Sequence, residues 1–239
     1  MKIIDKLRNA LEKVASTGKQ VECACCGRQS RRFWPAGVIN KRENARCAWC
    51  GSLERHRLVA LQLKQRPIAA GSKILIIAPE APLLPVFKSN GKRVTTADLF
   101  MAGVDVKADI CALPFAEDEF AVVVANHVLE HIADDGQAMR ELRRVTKAGG
   151  RAILQTPLCW QNEVTEEEAG ASEAERVRRF GQADHVRLYG RDFVSRLEAA
   201  GWHVAATPVN AMYSTEEIAR YGLESDEVWG EISCPQEII

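Results

Sequence analysis

Five of the eight cysteines lie between positions 23 and 50. Cys23-Ala-Cys25-Cys26-Gly27 and Cys47-Ala-Trp-Cys50-Gly51 each hold a pair two residues apart, followed by glycine, in the order C-x2-C-x20-C-x2-C. Thiolates so spaced in a tight turn can point at one ion, and the glycine relieves the backbone beyond them. Two such turns supply the four sulfur ligands of a tetrahedral zinc ion. The expected ligands are Cys23, Cys26, Cys47 and Cys50. Cys25 is either a spare thiol or a substitute for its neighbour in the first pair. Four thiolates leave no open position, so such a zinc would be structural and would replace a core that about 30 residues cannot build. Disulfides are the competing reading, and a cytosolic chain disfavours them. Cys111, Cys159 and Cys234 lie far away in sequence and read as ordinary buried or surface residues.

A second concentration of polar chemistry follows an apolar run. Phe120-Ala-Val-Val-Val-Ala125 leads directly into Asn126, His127, Glu130 and His131. Downstream stands Asp184-His185-Val-Arg187-Leu-Tyr189. Histidine titrates near neutrality and can take a proton from a reacting group, so His131 and His185 are the candidate bases. Glu130 and His131 have an alternative role in bracing the next helix. His185 and Arg187 could equally tie their segment to the rest of the domain.

Such groups act together only if the fold gathers them at one edge. Ile74–Ala78, Arg93–Ala97, Phe120–Ala125, Arg151–Gln155 and His203–Ala206 read as strands. Ser52–Gln65, Ala133–Thr146 and Arg191–Ala200 read as helices, with Gly149-Gly150 a turn just past the second. Alternation of this kind predicts parallel strands with crossover helices, an α/β doubly wound, mostly parallel seven-stranded sheet. Glu227–Ser233 is expected as a last, antiparallel strand. In such sheets ligands bind outside the carboxyl ends of the strands, where Asn126 and His127 stand. Ile4, Leu7, Leu11 and Val14 form the stripe of a short amphipathic helix before the cysteines. The expected boundaries are an N-terminal zinc-ribbon-like module over 1–66 and a domain over 67–239. The latter carries a polar insertion over 157–183, readable either as a lid or as a solvated segment.

Leu113-Pro-Phe-Ala-Glu-Asp-Glu-Phe120, the following Val-Val-Val-Ala-Asn126-His127-Val-Leu-Glu130-His131 and Met139-Arg-Glu-Leu-Arg-Arg-Val-Thr-Lys-Ala-Gly-Gly150 succeed one another in an order with a family signature. It strongly resembles the class I methyltransferases that use S-adenosylmethionine (SAM), especially their small-molecule branch. The resemblance runs from about Lys73 to the C-terminus, and Cys47–Arg57 resembles a segment fused to one bacterial subset. It implies a SAM site at Ala78, Pro79, Glu80, Asp98, Leu99, Asp109, Ile110, Asn126 and His127. Asp98 would accept from the ribose hydroxyls, or else cap a helix. Asp109 and Ile110 would meet the adenine, or Asp109 would only make a turn. Glu80 would meet the cofactor's ammonium group. One departure stands out. The family's glycine-rich loop after the first strand is replaced by Ile76-Ile-Ala-Pro-Glu-Ala-Pro-Leu83, without a glycine.

The resemblance implies an enzyme, a SAM-dependent methyltransferase with structural zinc. Its acceptor would be a small molecule or glycan, with oxygen favoured because a histidine base is at hand. Charge supplies the rival reading. Residues 1–66 carry 15 Lys+Arg against 5 Asp+Glu, a net of +10, and the remainder 17 against 27, a net of −10. A basic module could grip RNA, giving an RNA or tRNA methyltransferase, or it could complement acidic surface of the same chain. An Asn-Pro-Pro-Tyr motif, suited to amino groups of bases, is missing from the sequence. A non-catalytic relative of the same fold is the third alternative. Apolar runs are too short to span a bilayer and the first residues have no secretory h-region, so a cytoplasmic location is expected.

Overall fold

The computed structural model describes residues 11–37, 41–89, 91–168 and 170–235. Residues 11–15 are helical; the earlier part of the expected N-terminal helix lies outside the described residues. The chain divides into two compact units, one comprising Met1–Ile68, Glu80–Ser89 and Thr207–Val228, the other Ala69–Pro79, Asn90–Ala206 and Trp229–Ile239.

In the first unit, β1 (Val21–Glu22) pairs with β2 (Gln29–Ser30), and β3 (Trp34–Ala36) with β4 (Arg42–Arg46), both antiparallel. These hairpins are too short to bury much apolar surface; among the described residues their buried cluster is Cys23, Phe33 and Cys47, with Val21, Cys25, Trp49 and Cys50 packed against it. The helix α1 (Glu54–Gln65) follows, its start fixed by the Leu53 N–H donating to His56 Nδ1 at 3.0 Å. It ends ahead of Pro67, which cannot continue a helix. Its Arg57 is wholly buried. That guanidinium lies 3.8 Å from the Phe33 ring centroid and donates to the carbonyls of Ala45 (2.7 Å), Ser52 (3.2 Å), Tyr221 (2.5 Å) and Gly222 (2.6 Å). A planar fork with five donors is the side chain suited to bind several carbonyls at once. Gly222 closes α7 (Thr215–Tyr221) at φ 56, and a Cβ there would stand 2.6 Å from Phe33.

Acidic groups of this unit give it a pH dependence. Burial pushes the Glu54 carboxyl up, but Arg42, 3.0 Å away, outweighs it and holds the group below its ordinary value. At Glu227 the balance falls the other way: burial first, then the charges of Glu54 and Glu224, outweigh Arg55 and Arg42 and raise it from 4.5 to about 7. Stability from its retained proton is fully present below about 4.5 and is lost as pH rises to about 7. Glu227→Gln is therefore expected to add about 1–2 kcal/mol of stability at pH 8 and nothing at pH 4. Urea unfolding at the two pH values checks this, and an equal effect at both would refute it.

The second unit is built on a seven-stranded sheet in the order β12-β13-β9-β8-β5-β6-β7, which is the architecture expected. The strands are β5 (Lys73–Ile77), β6 (Arg93–Asp98), β7 (Val106–Lys107), β8 (Phe120–Ala125), β9 (Thr146–Ile153), β12 (His203–Pro208) and β13 (Val228–Ser233). The pairs β5·β6, β5·β8, β6·β7 and β8·β9 are parallel, and β13 runs antiparallel to β9. Central strands covered on both faces read as continuous apolar runs, and Ile74–Ile77 and Val122–Ala125 are buried throughout. Against them packs α3 (Asp135–Val145), burying Ala138, Met139, Leu142 and Val145 on one stripe. Its first turn is capped by the Asp134 carboxylate, which accepts from Gln137 N at 2.9 Å.

Gly149-Gly150 does not form a simple turn before the strand. Pairing starts at Phe120↔Thr146 and resumes at Val122↔Arg151, so Lys147–Gly150 bulge out inside β9. Glycine is needed there: Gly149 has φ 69, and a Cβ on Gly150 would lie 2.7 Å from Lys147 O. The polar insertion is ordered locally. It holds β10 (Glu166–Glu167), paired with β11 (Arg187–Leu188), and α4 (Glu173–Phe180), which is boxed by Ser172 and Glu175 and closed by Gly181 at φ 89.

Candidate active site

Strand β5 lies between β6 and β8, so the chain leaves the sheet centre in opposite directions from it. That switch point opens a crevice at the strands' carboxyl ends. Two of the four left-handed non-glycine residues among those described stand there: Ala78 (φ 47) directly after β5 and His127 (φ 53) two residues after β8. Each is tied down by its own N–H. Ala78 N donates to Ala97 O at 2.9 Å and His127 N to Gln155 O at 2.7 Å. The conformation that glycine usually supplies is thus held by alanine, at a cost of order 1–2 kcal/mol. Pro79 follows Ala78 at the end of this segment. Glu80 belongs to the first unit, where its Oε1 accepts from Arg55 Nη2 and His56 Nε2, each at 2.7 Å. Those two neighbours outweigh burial and hold its carboxyl down at about 2.

At the end of β6, Asp98 Oδ1 accepts from the N–H groups of Phe100 (2.6 Å) and Met101 (2.5 Å). The carboxylate is fixed by its own turn and caps no helix among the described residues. Leu99, Phe100 and Met101 beside it are exposed apolar side chains. Asp109 Oδ1 accepts from Cys111 N at 2.9 Å, so it makes a turn, and Ile110 is buried in the core. At the end of β8, Asn126 is buried; its Oδ1 accepts from Gln155 N at 3.4 Å and its Nδ2 has no partner among the described residues.

Beyond β8 a 3-10 turn over Leu129–His131 carries the next groups. Glu130 is 1% exposed. Thr156 Oγ1 donates to its Oε2 at 3.1 Å, and its Oε1 lies 3.1 Å from His127 Nδ1. Burial pushes this carboxyl up, but His127 and then His131 outweigh it and hold it below its ordinary value. His131 Nδ1 lies 3.3 Å from Asp184 O and 3.4 Å from its carboxylate. Its ring meets that of His185 edge-on, centroids 4.7 Å apart. His185 is 2% exposed; Nδ1 lies 2.9 Å from Phe180 O, and Nε2 is buried without a hydrogen-bond partner among the described residues. Burial lowers its pKa, leaving it neutral at neutral pH.

Arg187 and Tyr189 hold this constellation in place. Arg187 donates to the carbonyls of Leu129 (3.0 Å), Ile132 and Ala133 (2.9 Å), and its Nε to Glu167 at 2.9 Å. Tyr189 O–H donates to Asp135 Oδ2 at 2.8 Å, and Val186 N to Glu130 O at 2.9 Å. The two candidate bases, 54 residues apart, are brought together with Glu130. Sequence reasoning did not single out Thr156, Asp135 or Phe180, whose contacts are non-local and leave no spacing signal.

The strand order, with polar groups at the carboxyl ends of β6 and β8, decides the fold. The chain has a Rossmann-like methyltransferase fold. Residues 60–154 match the methyltransferase domain family. An uncharacterized methyltransferase of Mycolicibacterium vanbaalenii is 43% identical over 53 residues, 22% of this chain and 21% of that protein. A demethylmenaquinone methyltransferase of Mycobacterium marinum is 41% identical over 97 residues, 36% of this chain and 42% of that protein. The chain thus spans less than half the length of these relatives. The Haemonchus contortus phosphoethanolamine N-methyltransferase 2, solved with phosphomonomethylethanolamine and S-adenosylhomocysteine, superposes on the fold with TM-score 0.53 at 14% identity, over 80% of this chain and 55% of that one.

In the other unit, the sulfurs of Cys23, Cys26, Cys47 and Cys50 all lie within 4.8 Å of one another. Cys23 Sγ is 3.6 Å from Cys50 Sγ and Cys26 Sγ 3.9 Å from Cys47 Sγ. A tetrahedron with zinc–sulfur bonds of about 2.3 Å has edges of about 3.8 Å, so the set fits zinc. The two turns repeat one geometry: Gly27 N donates to Cys23 O, Gly51 N to Cys47 O, and both glycines have positive φ, 72 and 74. Cys25 stays outside the set.

Proposed function

We propose that this chain is a SAM-dependent methyltransferase acting on a small molecule or glycan, oxygen being the favoured acceptor atom, with one structural zinc on Cys23, Cys26, Cys47 and Cys50. The observation that carries the SAM reading is the carboxylate of Asp98, held at the end of β6 beside the switch point by two backbone N–H groups on Oδ1. A fixed carboxylate there suits the two ribose hydroxyls. Ala78 and Pro79 after β5, Leu99 and the Asp109-Ile110 turn complete that face, and Asn126 and His127 would stand beside the sulfonium. The demethylmenaquinone methyltransferase relative and the phosphoethanolamine enzyme favour a small acceptor.

Methyl transfer from a sulfonium is an in-line displacement, so alignment supplies much of the rate. A hydroxyl acceptor also needs somewhere for its proton to go. His131 is half-exposed and hydrogen-bonded to Asp184, and His185 lies against it with Nε2 unpartnered among the described residues, so these two rings are the candidate acceptors of that proton. Trp49 and Trp34 each have a face covered by Arg28 (4.5 Å) and Arg32 (4.7 Å), which leaves less aromatic surface for stacking bases and weighs against RNA. No helix among the described residues is long and apolar enough to cross a membrane.

Asp98→Asn tests the cofactor site. The amide oxygen still accepts from Phe100 and Met101, so the turn survives, while the charged acceptor is lost. S-adenosylhomocysteine binding, measured by calorimetry, is expected to weaken at least about tenfold. Unchanged affinity would remove Asp98 from the site, and no binding by the unaltered protein at millimolar ligand would remove the methyltransferase reading.

A further inference from the structure

We propose that Glu130, His131 and His185 hold one divalent cation of the first transition row, with coordination positions left open toward the methyl acceptor. One donor atom from each of the three lies within 4.8 Å of the other two. Two imidazoles and a carboxylate are a set that suits such ions and leaves an octahedral ion three further positions. Donors about 2.1 Å from a shared ion stand about 3 Å apart. Half-exposed His131 has the freedom to close that gap by turning its ring.

Two features separate this cluster from an ordinary polar contact. His185 is 2% exposed, and its Nδ1 side is engaged by Phe180 O at 2.9 Å while Nε2 is left without a partner among the described residues. An imidazole oriented by a carbonyl through one nitrogen and bare at the other is how ligating histidines are held. An unpaired buried nitrogen otherwise costs about 1–3 kcal/mol. Glu130 is buried too; Thr156 fixes one oxygen, and among the described residues the other makes no hydrogen bond, with His127 Nδ1 3.1 Å away. His127 and Asp184 would then be the groups orienting Glu130 and His131.

What the ion does rests on the methyltransferase reading. A bound cation lowers the pKa of a hydroxyl placed on it. The acceptor's proton passes to solvent and its oxygen attacks the methyl carbon. The carbon–oxygen bond forms as the carbon–sulfur bond breaks, and the electron pair returns to sulfur, leaving neutral S-adenosylhomocysteine. The histidines then act as ligands and not as the base.

The test uses the full chain loaded with zinc on its cysteines, titrated with Mn2+ alone while free Mn2+ is followed by electron paramagnetic resonance. One Mn2+ per chain is expected, weakened at least about tenfold by His131→Gln and by His185→Gln. Co2+ on the unaltered protein should show bands of nitrogen and oxygen ligation without thiolate charge transfer, a readout that survives even if the buried variant fails to fold. No Mn2+ or Co2+ bound beyond the zinc site, or equal binding in His131→Gln, overturns the proposal. S-adenosylhomocysteine calorimetry on the unaltered protein separates the two readings. Cofactor binding without a cation leaves the methyltransferase standing and removes this site. Cation binding without cofactor supports the site and removes the methyltransferase.

Discussion

Arg187→Ala is expected to destabilise the second unit by about 3–5 kcal/mol, the range for breaking a buried, hydrogen-bonded charge. The side chain is 3% exposed. It satisfies three carbonyls, those of Leu129, Ile132 and Ala133, and pairs with Glu167 at 2.9 Å. Truncation leaves those carbonyls without donors, at about 1–3 kcal/mol each where water does not reach them. It also leaves Asp135, 3.8 Å from the guanidinium, with Arg196 and Tyr189 as its remaining partners. Arg187→Lys is expected to recover less than half of the loss, because one ammonium cannot span three carbonyls and a carboxylate. Urea unfolding with an unchanged m-value measures both. A loss below about 1 kcal/mol for alanine would show that the turn carrying Glu130 and His131 holds itself.

The same side chain explains where sequence reasoning stopped. The central strands were legible because runs such as Phe120–Ala125 have one plausible fate in a chain of this composition. The antiparallel Val228–Ser233 strand was legible as well. The helix expected from Ala133 begins instead at Asp135. The carbonyls of Ile132 and Ala133 are taken by Arg187, and Asp134 makes the cap. Arg187 lies over fifty residues further on; its tying role was open in the sequence, but nothing near Ala133 shows that these carbonyls are its partners. Gly149-Gly150 was legible as a break, but strand pairing resumes around it and turns the break into a bulge. The short helices α6 (Val209–Met212) and α7 were missed because they bury too little to show a stripe, although the Ser214–Glu217 capping box is a local signal for α7.

Site residues divide the same way. The four cysteines are found by spacing alone, since each pair is completed within one turn. Asn126, His127 and Asp98 could be placed at strand ends from the sequence, because the strands are visible there, and they do stand at the ends of β8 and β6. The union of Glu130, His131 and His185 is not visible: it depends on Val186 N reaching Glu130 O and on Phe180 O orienting a ring five residues later. Likewise the net charge of residues 1–66 conceals how the charges are spent. Arg42, Arg46 and Arg55 pair with Glu54, Glu12 and Glu80, and Arg57 serves backbone carbonyls within the same unit.

Removing the proposed zinc is expected to have the largest effect of any single change. Among the described residues of 21–51 the buried cluster is Cys23, Phe33 and Cys47, and the other buried side chains are small: Ala24, Ser30, Ala45 and Ala48. The ladder of β1–β4 contributes few hydrogen bonds, and marginal hairpins of this length do not stand alone. In small zinc modules the metal's apparent binding free energy, about 10–16 kcal/mol, is folding free energy. Cys47 is buried, its N–H donates to Ser52 O at 2.8 Å, and its sulfur accepts from Trp49 N at 3.4 Å. Cys47→Ser takes one of four ligands and replaces it with a hydroxyl that binds zinc poorly. Hydrogen exchange read segment by segment should then show β1–β4 unprotected, while β5, β8 and β9 keep their protection. Chelation of the unaltered protein should give the same map. Cys25→Ser is the control, since Cys25 lies outside the four: it should keep one zinc per chain and the native exchange pattern. Fresh protein without zinc, or loss of zinc in Cys25→Ser with retention in Cys26→Ser, would refute this ligand set.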